Sequence, residues 1–137
     1  IKKLGEEKVH QFRRSWDSRP DPLDKKSEFH PLNINTYKNI PSKKIPNTES
    51  LKDTYERVTN YFVSKINDKI KKSNVLISAH GNSVRALCKY LFKLDEKQIS
   101  KLEIPTGNPL LINIDESQKI TTCKYLDQNR AKDLLIF

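Results

Sequence analysis

The stretch Val75-Leu76-Ile77-Ser78-Ala79-His80-Gly81-Asn82-Ser83-Val84-Arg85-Ala86-Leu87 carries two periodicities that meet at a single turn. Val75 to Ala79 is short, apolar and β-branched at two positions. That is the pattern of a parallel strand buried on both faces, where hydrophobicity runs on instead of alternating. After His80-Gly81-Asn82-Ser83 the apolar residues return at helical spacing, with Val84, Leu87, Cys88 and Leu91 on one face. His80 then stands at the carboxyl end of a strand, outside which open α/β sheets bind their ligands. Asn82 or Ser83 is expected to cap the helix, leaving other first-turn N–H groups and the positive end of the dipole to an anion. Gly81 lets a ligand approach the backbone closely. Two readings of the turn fit these residues. It is a phosphate or carboxylate site, or His80 satisfies local backbone groups and Gly81 only makes the bend.

Upstream, Leu51, Tyr55, Val58, Phe62, Ile66 and Ile70 recur every three or four residues from Thr48 onward. This predicts a long amphipathic helix, ended by Lys71-Lys72 at the negative end of its dipole. Val9, Phe12 and Trp16 predict a shorter helix over Glu6 to Trp16, with Arg13 and Arg14 beside them. Adjacent helical residues point about 100° apart. The two guanidinium groups therefore serve one ligand only if they lie at a helix end where the chain turns; otherwise at least one is surface charge. Between these helices, a loop at about 19–47 holds Pro20, Pro22, Pro31, Pro41 and Pro46. It is expected to lack long regular elements and is a candidate wall or lid of a site. Downstream, Asp95 and Gln98 predict a capping box. Pro109–Ile114 and Ile120–Tyr125 read as strands joined by the turn Asp115-Glu116-Ser117-Gln118. Helix, strand, helix, strand implies an α/β layered fold.

The totals bound the function classes. A chain of 137 residues with 35% hydrophobic content is one domain or a piece of one. The absence of Met and the opening on Ile1-Lys2-Lys3-Leu4 suggest part of something longer, begun inside a structured element. No apolar run reaches the roughly 20 residues of a membrane span, and no signal peptide is visible, so a cytoplasmic protein without a membrane partner is expected. Cys88 and Cys123 have neither metal-ligand nor disulfide spacing and are read as reduced thiols. A formal charge of +9 favours an anionic partner. No aromatic and basic stacking pattern or recognition motif accompanies it, and no nucleic-acid partner is expected.

Four blocks, GEEKVHQFRRSWD, PNTESLKDTYERV, VLISAHGNSVRALCKYLF and LEIPTGNPLLINID, occur here in that order. Together they resemble the cofactor-dependent phosphoglycerate mutases of the histidine phosphatase superfamily over nearly the whole chain. His-Gly-Asn alone is a loose match, whereas four ordered blocks are specific. The resemblance implies a three-layer α/β/α sandwich around a mainly parallel sheet, present as a partial domain. It implies a cytoplasmic, glycolytic enzyme that interconverts 3- and 2-phosphoglycerate through a phosphohistidine primed by 2,3-bisphosphoglycerate, without a metal, as a homodimer or homotetramer. By the same resemblance His80 is catalytic, donating to the transferring phosphoryl group. Gly81 and Asn82 contact the ligand beside it, and Arg13 and Arg14 hold the substrate's anionic groups.

The departures are equally specific. The family's nucleophilic histidine, in an RHG block, and its proton-transferring glutamate have no counterpart among these residues, since His10 and His30 lack that context. Residues 1–137 are therefore expected to be the C-terminal portion of a single domain, and inactive as a mutase on their own. Asn108 stands where the family usually has an apolar residue, and the resemblance leads one to expect a flexible tail that residues 1–137 do not include. The alternatives are a superfamily phosphatase that hydrolyses the phosphohistidine and a non-catalytic phosphate-binding relative; the IPTG and NTESL blocks favour the mutase over the phosphatase.

Overall fold

Glu6 and Glu7 open the first helix, α1 (Glu6–Arg14), and Arg13 and Arg14 close it, matching charge to the helix dipole at both ends. It stops at Arg14 because Ser15 is extended, with φ −73° and ψ 154°. The computed structural model describes residues 5–131, so what was read from Ile1–Leu4 and from the C-terminus at Phe137 lies outside the described residues. The chain divides into two compact units, Ile1–Asp53 and Thr54–Phe137.

In the first unit the proline-rich loop forms three single 3-10 turns, Pro31–Asn33, Asn35–Tyr37 and Ser42–Lys44. The loop is held by hydrogen bonds more than by burial. Leu23 N–H donates to the Asn47 carbonyl at 3.1 Å, and the Thr48 hydroxyl donates to the Pro20 carbonyl at 2.6 Å. His30 is 0% exposed. Its Nδ1 accepts from Leu32 N–H at 3.1 Å, so Nε2 carries the proton and donates to Asn47 Oδ1, also at 3.1 Å. The imidazole thus bolts the middle of the loop to its far end.

The expected long helix is present, starting at Leu51. Ser50 caps α2 (Leu51–Tyr61): its hydroxyl accepts from Asp53 N–H at 3.2 Å, while the Asp53 carboxylate accepts from Ser50 N–H at 2.8 Å. This is a reciprocal box with aspartate at the third position. The helix then passes through a five-residue π segment, Phe62–Ile66, into α3 (Asn67–Ile70). At that point the Ser64 hydroxyl donates back to the Asn60 carbonyl at 2.7 Å, the back-bonding that disturbs a helical ladder.

The second unit gathers Phe62, Ala86, Cys88, Ile99, Leu102 and Tyr125 into its core. Phe62 meets the edge of Tyr90 with ring centroids 5.9 Å apart. Helix α4 (Gly81–Phe92) buries Arg85, Ala86 and Cys88. Val84, Leu87 and Leu91 are only half-buried, so the inner face is rotated from the purely apolar stripe. Helix α5 (Glu96–Lys101) begins with the expected capping box between Asp95 and Gln98. Strands β1 (Leu110–Ile114) and β2 (Ile120–Tyr125) pair antiparallel from Leu110 opposite Tyr125 to Ile114 opposite Ile120.

Two expectations need correction. Val75–Ala79 is not a strand, and every residue in it is exposed, Leu76 at 92%. A strand needs a neighbour to complete its ladder, and among the described residues the only strands are β1 and β2, which pair with each other. For the same reason the mainly parallel sheet of a three-layer sandwich is not found among the described residues. What is present is helices with a small antiparallel sheet.

Asn108, the departure from the family pattern, has a structural reason. It is 6% exposed; its Nδ2 donates to the Asp127 carbonyl at 2.8 Å and its Oδ1 accepts from Asp127 N–H at 3.0 Å. The side chain acts as one more backbone rung beside the hairpin. Asn108→Ala is expected to cost about 1–3 kcal/mol, because both Asp127 groups lose their partner. A lowered urea midpoint at unchanged m-value would show it; an unchanged midpoint would refute the rung.

Candidate functional site

Helix α4 begins two or three residues earlier than its sequence suggests, and His80 itself is the N-cap, with φ −63° and ψ 147°. Its carbonyl accepts from Val84 N–H at 3.1 Å, and its Nδ1 accepts from Asn82 N–H at 3.3 Å. The expected cap from Asn82 or Ser83 is therefore corrected: both residues are already inside the first turn. A ring nitrogen that accepts carries no proton, so the neutral ring holds its hydrogen on Nε2. Of the two readings of the turn, the structure bears out the local one. His80 satisfies local backbone with one nitrogen and, being exposed, offers an N–H with the other.

The first-turn amides of Gly81 and Ser83 belong to the donors that an α-helix leaves without internal partners. Gly81 has no positive φ, and a Cβ placed on it would meet nothing within 4 Å. The surrounding protein does not demand glycine there, which leaves the approach to the backbone open. Asn82 is exposed, and its Oδ1 accepts from Arg85 Nη1 at 3.3 Å. His80, Gly81, Asn82 and Arg85 thus form one cluster in the second unit.

Arg13 and Arg14 lie in the first unit as the last two residues of α1, at the point where the chain turns out of the helix. This meets the geometric condition for adjacent arginines to serve one ligand. The first unit also has an open cavity of about 370 Å³, lined by Arg19, Pro22, Pro46, Asn47, Thr48, Glu49 and Asp53. It contains none of the site residues read from the sequence. Its guanidinium is matched by a carboxylate: Arg19 Nε and Nη2 donate to the two Asp53 oxygens at 2.6 and 2.5 Å. The Arg19 guanidinium, helped by Ser50 N–H, holds the Asp53 carboxyl well below the usual carboxylate range. We read this pair as a clamp that ties the loop to the start of α2.

Sequence patterns missed two of these features. Ser50-x-x-Asp53 was legible as a cap box before an apolar run, since aspartate can take the place of glutamate. The burial of Arg85 had no signal, because helix faces are traced from apolar residues. Burial pushes the Cys88 thiol up to about 12 and the Cys123 thiol up to about 11. Among the described residues no cluster of His, Cys, Asp or Glu could hold a metal ion, and no helix is long and apolar enough to cross a membrane.

Comparison with known proteins fits this chemistry. The family model described as histidine phosphatase superfamily (branch 1) matches residues 15–125. The chain belongs to this superfamily. Superfamily relatives named 2,3-bisphosphoglycerate-dependent phosphoglycerate mutase include one from Pelagibacter ubique, 64% identical across 98% of this chain and 57% of the relative. Another, from Maricaulis maris, is 44% identical across 96% of this chain and 55% of the relative. A third, from Hyphomonas neptunium, is 47% identical over the same shares of each. The chain spans about half the length of these curated superfamily relatives.

Asp53→Asn is expected to destabilise the protein at pH 7. A depressed carboxylate contributes stability above its unfolded pKa of about 3.9 and loses it as pH falls. The gap between variant and parent should therefore narrow below about pH 4 in thermal melts. A gap that stays constant with pH would refute the clamp. Buried Cys88 and, less completely, half-buried Cys123 should resist iodoacetamide at pH 8 until the protein is unfolded, because the thiolate is the reactive form; rapid labelling of Cys88 in the folded protein would contradict its burial.

Proposed function

We propose that the chain is the C-terminal portion of a 2,3-bisphosphoglycerate-dependent phosphoglycerate mutase, interconverting 3-phosphoglycerate and 2-phosphoglycerate through a phosphohistidine formed outside these residues. One observation carries the reading. Nδ1 of His80 accepts from Asn82 N–H, so Nε2 presents a proton at the exposed mouth of α4. Phosphoryl transfer depends more on positioned donors and positive charge around oxygen atoms than on acid–base chemistry.

His80 Nε2–H donates to the oxygens of the transferring phosphoryl group. The amides of the first turn and the side chain of Asn82 hold the same oxygens, and Gly81 lets them come close. Arg13 and Arg14 bind the anionic groups of the substrate, since a guanidinium fork matches phosphate and carboxylate oxygens. This donor set also suits the bisphosphorylated primer. When bound, 2,3-bisphosphoglycerate supplies the phosphoryl group that charges the enzyme. A surface of formal charge +9 draws such metabolites in.

The same proposal covers the rest of the fold. Residues 1–137 form one part of a single domain whose complete form is an α/β/α sandwich, and Val75–Ala79, which is no strand in these residues by themselves, is the segment that a mainly parallel sheet of the whole protein would take up. Its apolar, exposed side chains and its direct entry into α4 support this. A cytoplasmic location and a homodimer or homotetramer belong to the same reading.

In the full-length protein, His80→Ala should lower kcat by about 10²-fold or more, the usual effect of losing one oxyanion donor. Unchanged turnover in a correctly folded variant would remove His80 from the mechanism. Arg14→Ala should chiefly raise KM; an unaltered response to 3-phosphoglycerate concentration would make it a surface residue. Residues 1–137 alone should show no mutase turnover in a coupled assay.

A further inference from the structure

Arg85 is a charged side chain in the interior of the second unit, 7% exposed. A guanidinium does not give up its proton in a protein, so a buried one must be matched by acceptors. Nη2 donates to the carbonyl oxygen of Ile99 at 2.6 Å. Ile99 belongs to α5 and is 0% exposed, so this end of the group is anchored in the core. Nη1 donates to Asn82 Oδ1, one turn back along α4, at 3.3 Å. The guanidinium therefore bridges from a fixed interior carbonyl to an exposed side chain beside His80.

The chemistry of the contact allows only one sense. Guanidinium has donors and no acceptor, so the Asn82 amide meets it through oxygen alone. The planar amide then turns its Nδ2 donors away from Arg85. An asparagine without such a partner samples both amide orientations, and one of them points an oxygen at an incoming anion. We propose that Arg85 is a positioning residue that locks the Asn82 amide, so that Nδ2 joins the Nε2–H of His80 as a donor to phosphoryl oxygens. This rests on the reading of His80 and Asn82 as ligand-contacting residues and adds what sets the polarity of Asn82. Asn82 is held at two points, its backbone N–H by His80 Nδ1 and its side chain by Arg85.

A double-mutant cycle in the full-length protein tests the lock. Arg85→Met and Arg85→Lys should each lower kcat/KM for 3-phosphoglycerate by about tenfold, equivalent to about 1.4 kcal/mol. Lysine keeps the charge and most of the stem but cannot span both acceptors, so Arg85→Lys carries the test if Arg85→Met does not fold. Placed on Asn82→Ala, either substitution should change kcat/KM by less than about twofold, because contacting residues couple and independent ones add. An undiminished tenfold loss on Asn82→Ala would overturn the lock and leave the site intact. No effect of Asn82→Ala by itself would instead overturn the reading of the site, and the lock with it.

Discussion

One hydrogen bond, from Asn82 N–H to His80 Nδ1, joins the fold of this chain to the chemistry proposed for it. It satisfies a helix-terminal amide, and the same contact assigns the ring proton to the opposite nitrogen. Helix initiation and tautomer choice are then a single event. Any change that moved the start of α4 by one residue would release Nδ1 and unfix the proton, even with every side chain in the cluster retained. The neighbouring contacts follow this order: the first-turn amides project from the same end, and Arg85 grips the side chain whose backbone His80 already holds.

The first unit is organised on the same economy of polar contacts. The loop at 19–47 buries little besides His30, so its shape comes from side chains that imitate backbone pairing. His30, Asn47, Thr48 and the Arg19–Asp53 pair each tie residues far apart in sequence. Proline removes donors and fixes φ along the loop, which reduces both the ladder the loop could form and the freedom it must lose. Asn108 performs the same imitation in the second unit, as a rung beside the hairpin.

Much of this was legible in the sequence where the cause is local. The amphipathic stripe from Leu51 to Ile70, the Asp95 and Gln98 box, and the hairpin with its Asp115 turn all follow from period, cap and turn chemistry. His80 was singled out by its place between an apolar run and a helix. Its capping role was not, because histidine is outside the usual cap residues and Asn82 and Ser83 competed for the assignment. The strand at Val75–Ala79 was misplaced for a different reason: apolar β-branched sequence states a preference, whereas a strand also needs a neighbour. Arg85 was hidden because charge normally marks an outer face, and acceptors that the sequence does not announce, among them the Ile99 carbonyl and Asn82 Oδ1, make its interior position tenable.

The bare segment Val75-Leu76-Ile77 has a consequence for how these residues behave in water. A short, uncharged, exposed and β-prone ribbon is a template for its own copies. With that ribbon exposed, the chain would drift toward intermolecular pairing as concentration rises. The lysines that border it at positions 71 and 72 would act as gatekeepers, slowing that pairing by repulsion at low salt and less so as ions screen them.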